Sequence, residues 1–275
     1  MTSAPATAKI NLALVVGPRR ADGKHEVRTI LQRLDLADRV GMEPAARLRV
    51  DGFRDDTLVR DALTALAAAA GVEPRWRARI WKRIPVAAGL GGGSSDAAAA
   101  LRLANEALGE PLDDRQLHAL AAGLGADVPF FLRRGPQLGS GDGSTLESLE
   151  LPQDYWVVVV LPHGARKAST TEVYRGFDDR GEADGFDARC AALRESLARV
   201  RRARDLAALP PNDLASSPLA DELRRHGAFR ADVSGAGPAV YGLFSRRAAA
   251  LAARDALGAE GRTRLTVPAW YGDPR

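Results

Sequence analysis

The chain predicts an α+β fold built in two halves. Strand-like and helix-like runs are mixed along it without the regular alternation that a doubly wound parallel sheet requires. A stretch rich in Gly, Ser and Pro, residues 135–148, separates an earlier group of elements from a later one. With 275 residues and 45% hydrophobic composition there is enough chain for one large domain or two modest ones with a real core, and wholesale disorder is excluded. The expected division is 1–150 and 151–275.

Residues 7–16 are apolar and β-branched and read as a strand closed by Gly17-Pro18. Residues 27–36 alternate and read as a second strand, with 47–51 a short third. Residues 57–70 are alanine-rich and stop at Gly71, the pattern of a helix with a glycine end. Residues 76–82 alternate apolar and basic side chains, as a half-buried strand does. A glycine-rich loop comes next, then a helix over about 95–108 and another over 113–124 that opens with two acids. Residues 155–161, YWVVVVL, read as a buried strand ended by Pro162. The remainder predicts helices at about 187–206, 218–226 and 246–257, and strands at about 239–244 and 264–267. No internal repeat is evident, and the alanine and arginine bias reads as genomic composition.

Cys190 is the one cysteine, so an internal disulfide is excluded and a reducing compartment is expected. In its Arg- and Ala-rich surroundings it reads as a packing residue. Residues 1–16 lack the basic start and cleavage site of a secretory signal. Their apolar run is interrupted by Lys9 and Asn11 and is too short to span a bilayer. A soluble cytoplasmic protein with no membrane partner is the expectation. The net charge is +4. Its densest basic cluster, 199–204, reads as a solvated helix face, so nucleic acid is not an expected partner. A modest positive balance suits an anionic small substrate.

Chemistry concentrates in the run 84–98, IPVAAGLGGGSSDAA. Gly89, Leu90, Gly91, Gly92 and Gly93 precede Ser94, Ser95 and Asp96, which are N-cap residue types, and then an alanine run that favours helix. Such a loop gathers unpaired N–H groups and the positive end of a helix dipole, which suits phosphate; a plain turn before a surface helix is the alternative. Seryl hydroxyls beside a phosphate are able to ligate Mg²⁺. The loop lacks the Gly-Lys-Ser/Thr of a Walker A motif and has Ser94 at the third glycine of a dinucleotide fingerprint. The chain has no His-Arg-Asp or Asp-Phe-Gly triplet of a protein kinase. Lysine occurs only at 9, 24, 82 and 167. Lys9, inside the first apolar strand, needs a partner or a ligand unless it snorkels to solvent. Asp127, just before Pro129 and two phenylalanines, reads either as a tuned general base or as a helix-terminus cap. The turn SGAGP at 234–238 leads into a strand and is a weak signal by itself.

AKINLAL at 8–14, GLGGGSSDAA at 89–98 and DVSGAGPAVYGLF at 232–244 together resemble, in order and separation, the three motifs of the GHMP small-molecule kinases. The resemblance covers nearly the whole chain. RADGKHEVRTILQRLDLADRV at 20–40, LGADVPFF at 124–131 and PNDL at 211–214 are similar to the branch whose acceptor is a cytidine diphosphate-linked methylerythritol. It implies an N-terminal half like domain 2 of ribosomal protein S5, a ferredoxin-like C-terminal half, and a site in the cleft between them. It implies ATP as donor with Mg²⁺, Lys9 and Asp127 as the catalytic pair, and phosphate contacts from Gly89 through Asp96, with Ser94 and Ser95 near the metal and Gly235 at the junction. Asn11, His25, Thr170 and Tyr174 are implied to face the acceptor, His25 at the cytosine edge and Tyr174 as an aromatic face. Lys9 and Asn11, two residues apart on a strand, share one side of it. A monomer or homodimer is expected. Two positions depart from the family. Lys24 stands where a tyrosine is usual, and either pairs with the substrate diphosphate or lies in solvent. Asp56-Thr57-Leu58 stands where Asn before Leu is common; Thr57 keeps one hydrogen bond but not an amide pair. A kinase for another small alcohol and a non-catalytic nucleotide or metabolite sensor are the competing readings. Residues 135–148 are the candidate closing loop.

Overall fold

The computed structural model describes residues 1–53, 58–165 and 169–269. Two long strands organise its first sheet. β1 (Thr2–Arg19) and β2 (His25–Pro44) pair antiparallel almost end to end across a turn at 20–24. β1 does not stop at Gly17-Pro18. A register shift between Val16 and Arg19 absorbs the proline, and the strand resumes with Arg19 opposite His25. Along its other edge β2 takes β5 (Gln137–Gly141) at residues 27–31 and β4 (Trp76–Trp81) at residues 39–44, both antiparallel. β3 (Arg49–Asp51) adds parallel to β4, and β6 (Thr145–Ser148) adds antiparallel to β5.

Residues 135–148 therefore carry a hairpin of this sheet and not a linker. A Cβ at Gly139 would lie 3.0 Å from both the Thr29 side chain and the Gly143 carbonyl. The small residues that resemble loop composition are those that let two strands and a turn lie this close.

Helices α1 (Leu58–Ala69), α2 (Gly92–Ala107), α3 (Asp114–Leu124) and α4 (Val128–Leu132) share one core with the first sheet through Leu63, Leu66, Ala98, Leu101, Leu117, Phe130 and Phe131. α3 opens on a capping box formed by Asp113 and Gln116. α2 starts earlier than its sequence suggests. Gly91 is its N-cap with no side-chain cap bond, so Ser94, Ser95 and Asp96 sit inside the helix instead of capping it.

The second sheet contains β7 (Trp156–Pro162), β8 (Arg230–Val233), β9 (Val240–Phe244) and β10 (Gly261–Thr266) in the order β10-β7-β9-β8, all antiparallel. Between β7 and β8 come α5 (Thr170–Asp179), α6 (Phe186–Ala198), a 3₁₀ turn (Ala203–Ala208) and α7 (Pro218–Arg225); α8 (Arg247–Ala256) joins β9 to β10. This βαββαβ succession is ferredoxin-like. The helix expected over 187–206 breaks after Ala198, where the backbone N–H groups of Arg201 and Arg202 turn to the Asp205 carboxylate. The arginines of this cluster are exposed.

YWVVVVL is apolar at successive positions because both faces of β7 are covered. Val157 and Val159 join Ile10, Leu12, Tyr241 and Cys190 in a core shared by the two sheets. Val158 and Val160 face Leu223 of α7 and Ala250 and Ala253 of α8. Cys190 is a packing residue, as its sequence context suggests, and burial pushes its thiol pKa up. No helix among the described residues is long and apolar enough to cross a membrane.

Candidate active site

A cavity of about 510 Å³ opens where β1, the loop before α2, the start of α4, the start of α5 and the turn at 235–237 converge. Its wall includes Lys9, Asn11, Gly89 through Ser94, Asp127, Thr170, Tyr174 and Gly235. Three residues expected in the site do not line it: His25, Ser95 and Asp96.

Lys9 does not snorkel. It is buried, with Nζ 2.7 Å from Asn11 Oδ1 and 3.4 Å from Asp127 Oδ2. Asn11 in turn donates to Thr29 Oγ1 (2.8 Å), and Thr29 donates to the Ala13 carbonyl (2.8 Å). The β1 register shifts after Thr7 and after Asn11, so the ladder is irregular on both sides of this pair. Asp127 occupies the N-cap position of α4 but makes no side-chain cap bond; its carboxylate turns to Lys9 instead. The alternatives left open by the sequence thus resolve toward a Lys–Asp pair facing a cavity. Gly235 closes over it: a Cβ there would sit 3.2 Å from Asn11 Oδ1 and 3.3 Å from Lys9 Nζ.

The glycine loop is stitched to its surroundings by backbone. The Lys9 N–H donates to the Leu90 carbonyl at 2.9 Å, which fixes the loop beside β1. Gly91 has φ +70° and packs on the Lys9 stem, where a Cβ would come within 2.9 Å of Lys9 Cγ. Only glycine combines that dihedral with that contact. On the far side the Ala239 N–H donates to the Ala88 carbonyl (3.1 Å) and Ser234 Oγ to the Gly89 carbonyl (3.0 Å). The loop so held presents the first turn of α2, with its free N–H groups, to the cavity.

Ser95 and Asp96 face inward, 2% and 0% exposed. Ser94 therefore remains as the hydroxyl able to reach a metal or phosphate in the cavity. Asp96 instead accepts from Lys82 Nζ at 2.7 Å, and Lys82 also lies 2.5 Å from Asp38 Oδ2. Asp38, equally buried, accepts the backbone N–H groups of Arg83 and Ile84 through its other oxygen. Burial would lower the Lys82 pKa, but Asp96 and Asp38 together outweigh it and raise the value above the ordinary 10.5. This triad ties the end of β4 to the first turns of α2. Sequence reasoning missed it; the available signal was one of four lysines standing just before the loop.

Toward the other end of the cavity, the Tyr174 ring stacks on His25 at 4.8 Å and 29°. His25 is buried, with Nε2 2.7 Å from Asp178 Oδ1, and supports Tyr174 from behind. Burial, and then the charge of Asp127, push the Tyr174 hydroxyl pKa up. Thr170 is exposed at the start of α5. Lys24 does not lie free: its Nζ is 2.5 Å from Asp142 Oδ2 on the β5–β6 turn. Asp142, also missed from sequence, lines the cavity.

Burial opposes the charge of Asp142, but hydrogen bonds from Lys24 and Ser144 outweigh it and hold the carboxyl at about 2, against an ordinary 3.8. A carboxyl depressed on folding stabilises the native state above its unfolded pKa. The contribution should be intact above about pH 4 and disappear as pH falls through the folded value. NMR titration of the Asp142 carboxyl checks this, and a midpoint at the ordinary value would mean the pair does not form in solution.

Phe53, Leu58, Pro85 and Val86 form an apolar wall beside the glycine loop, suited to a planar base. The departure at Thr57 lies outside the described residues. Among the described residues no group of three or more His, Cys, Asp or Glu is placed to hold a metal ion.

The chain matches the family model "GHMP kinases N terminal domain" over residues 57–135 and "GHMP kinases C terminal" over residues 191–263. It is 42% identical over 265 residues to the 4-diphosphocytidyl-2-C-methyl-D-erythritol kinase of Anaeromyxobacter sp. (strain Fw109-5), spanning 90% of this chain and 84% of that one. Identity to the kinase of the same name from Geobacter sulfurreducens (strain ATCC 51573 / DSM 12127 / PCA) is 38% over 273 residues, spanning 92% and 94% of the two chains. A crystal structure of 4-(cytidine 5'-diphospho)-2C-methyl-D-erythritol kinase superposes with a TM-score of 0.79 at 34% identity, over 97% of this chain and 99% of that one.

Proposed function

The chain belongs to the GHMP kinase family, and from that premise we propose that it transfers the terminal phosphoryl group of ATP to the 2-hydroxyl of 4-diphosphocytidyl-2-C-methyl-D-erythritol, a step of non-mevalonate isoprenoid precursor synthesis. The observation that carries the chemistry is one cavity containing both the Lys9–Asp127 pair and the glycine loop at the start of α2. The acceptor is carried by relatives of that name at 38–42% identity over nearly their whole length.

Phosphoryl transfer needs mainly positioning and charge stabilisation. Asp127 accepts the proton of the acceptor hydroxyl as the oxygen attacks. Lys9, held by Asn11, orients the Asp127 carboxylate and offsets charge on the transferring group. The N–H groups of the loop and the α2 terminus bind the donor phosphates, and Phe53, Leu58, Pro85 and Val86 shelter the donor base. Mg²⁺ commonly binds through phosphates, waters and only one or two protein oxygens, so a site without a metal cage fits it. Ser94 would hold it together with the donor phosphates, and when bound it neutralises donor phosphate charge. Residues 1–150 supply the donor side and the catalytic pair; residues 151–275 supply Thr170, Tyr174 and Gly235.

A second reading, the same chemistry on a different small alcohol, is favoured only by Lys24 and its contact with Asp142. A coupled ADP-release assay with Mg-ATP and the diphosphocytidyl acceptor tests the proposal. Saturable turnover is expected. Folded protein that binds ATP but leaves this acceptor untouched would overturn it.

A further inference from the structure

Among the described residues, the cations that line the cavity are already committed. Lys9 serves Asn11 and Asp127, and Lys82 serves two buried carboxylates. The wall also carries the carboxylates of Asp127 and Asp142, which disfavour an approaching anion. An acceptor bearing a diphosphate therefore needs a positive group at its own end of the cavity.

Lys24 is placed to supply it. Its backbone is fixed: its N–H donates to Asp22 Oδ1 (3.0 Å) and its carbonyl accepts from the Arg20 N–H (2.7 Å). Its side chain is 53% exposed and pairs with Asp142, which lines the cavity. Asp142 keeps other partners when the lysine leaves, because Ser144 donates to the same carboxylate through both N–H (3.1 Å) and Oγ (2.6 Å). An ion pair with one partner this exposed is cheap to open. A diphosphate offers more charge and more acceptor oxygens than one carboxylate. The neighbouring Arg20 is engaged by Asp22 and Glu26.

We propose that Lys24 is a specificity-determining residue that exchanges Asp142 for the diphosphate of the incoming acceptor, with Asp142 parking the lysine until then. This rests on the acceptor reading given above. The exchange makes opposite demands on its two members. Lys24→Ala removes the anchor, so the acceptor KM rises about ten- to hundredfold, the range for one charge-assisted hydrogen bond. Asp142→Asn keeps an oxygen for Ser144 but releases the lysine and removes a repelling charge, so the acceptor KM falls by up to about fivefold. In both variants the KM for ATP and kcat stay close to wild type.

The experiment measures acceptor and ATP kinetics for wild type, Lys24→Ala, Lys24→Arg and Asp142→Asn, and titrates cytidine diphosphate calorimetrically without ATP. Opposite shifts in acceptor KM and in cytidine diphosphate affinity, with partial retention in Lys24→Arg, are the expected result. Shifts in the same direction would mark the pair as a strut between two turns and overturn the inference alone. An unchanged acceptor KM in Lys24→Ala would do the same. If wild-type protein neither uses the acceptor nor binds cytidine diphosphate, the acceptor reading falls and the inference falls with it.

Discussion

Asp127→Asn is expected to lower kcat by about 10²–10⁴-fold, the usual contribution of a positioned general base. ATP affinity should stay within a few-fold of wild type, because the glycine loop proposed to hold the phosphates does not depend on this side chain. The substitution keeps shape and removes only the capacity to take a proton. It leaves no hole, since the Asp127 side chain is 39% exposed. Lys9 keeps its 2.7 Å contact with Asn11 and stays in place. Steady-state ADP release gives kcat, and calorimetric titration with ATP gives the affinity. Undiminished turnover would remove Asp127 from the role of base; lost ATP binding would mean the effect is not confined to the proton transfer.

The second large effect concerns stability. Lys82→Met leaves Asp38 and Asp96, both 0% exposed, without their shared cation. Removing one member of a buried ion-pair network typically costs about 3–5 kcal/mol, because charge is left uncompensated in the interior. Urea denaturation reads this directly. Lys82→Met combined with Asp96→Asn should recover a substantial part of the loss, since the remaining Asp38 still accepts two backbone N–H groups. A Lys82→Met variant as stable as wild type would mean the triad holds nothing together. The ion pairs have a pH signature as well. A lysine whose pKa is raised on folding stabilises the native state below its ordinary 10.5, and the contribution is lost only as pH climbs through the higher folded value.

The readable parts of this molecule are those whose physics is local. The glycine loop, the alanine helix after it and the lysine inside an apolar strand each announce themselves within a few residues. The triad does not, because Asp38, Lys82 and Asp96 come from three elements and share no spacing. The β5–β6 hairpin was hidden for another reason: its glycines serve close packing against Thr29, yet their composition is that of a linker. α5 was overlooked although Ser169 and Glu172 form a capping box at its start, a signal legible at a fixed spacing. The resemblance places Asp96 among the phosphate contacts; the helical turn carries it inward to Lys82 instead. Local sequence leaves the role of Lys24 open, because its partner is 118 positions away.

The core shared by the two sheets has a consequence in time. β1 contributes Ile10 and Leu12 to a cluster completed by Val157, Val159, Tyr241 and Leu243. The Tyr241 hydroxyl donates to the Asn11 carbonyl at 2.9 Å, across 230 positions of chain. During synthesis, then, the strand bearing Lys9 and Asn11 leaves the ribosome early, while the surface that covers it arrives nearly last. Pairings of such long range are formed late and slowly. An incomplete nascent chain holds the glycine loop but not its finished cleft, and keeps an apolar strand face open to chaperones until the second sheet is made.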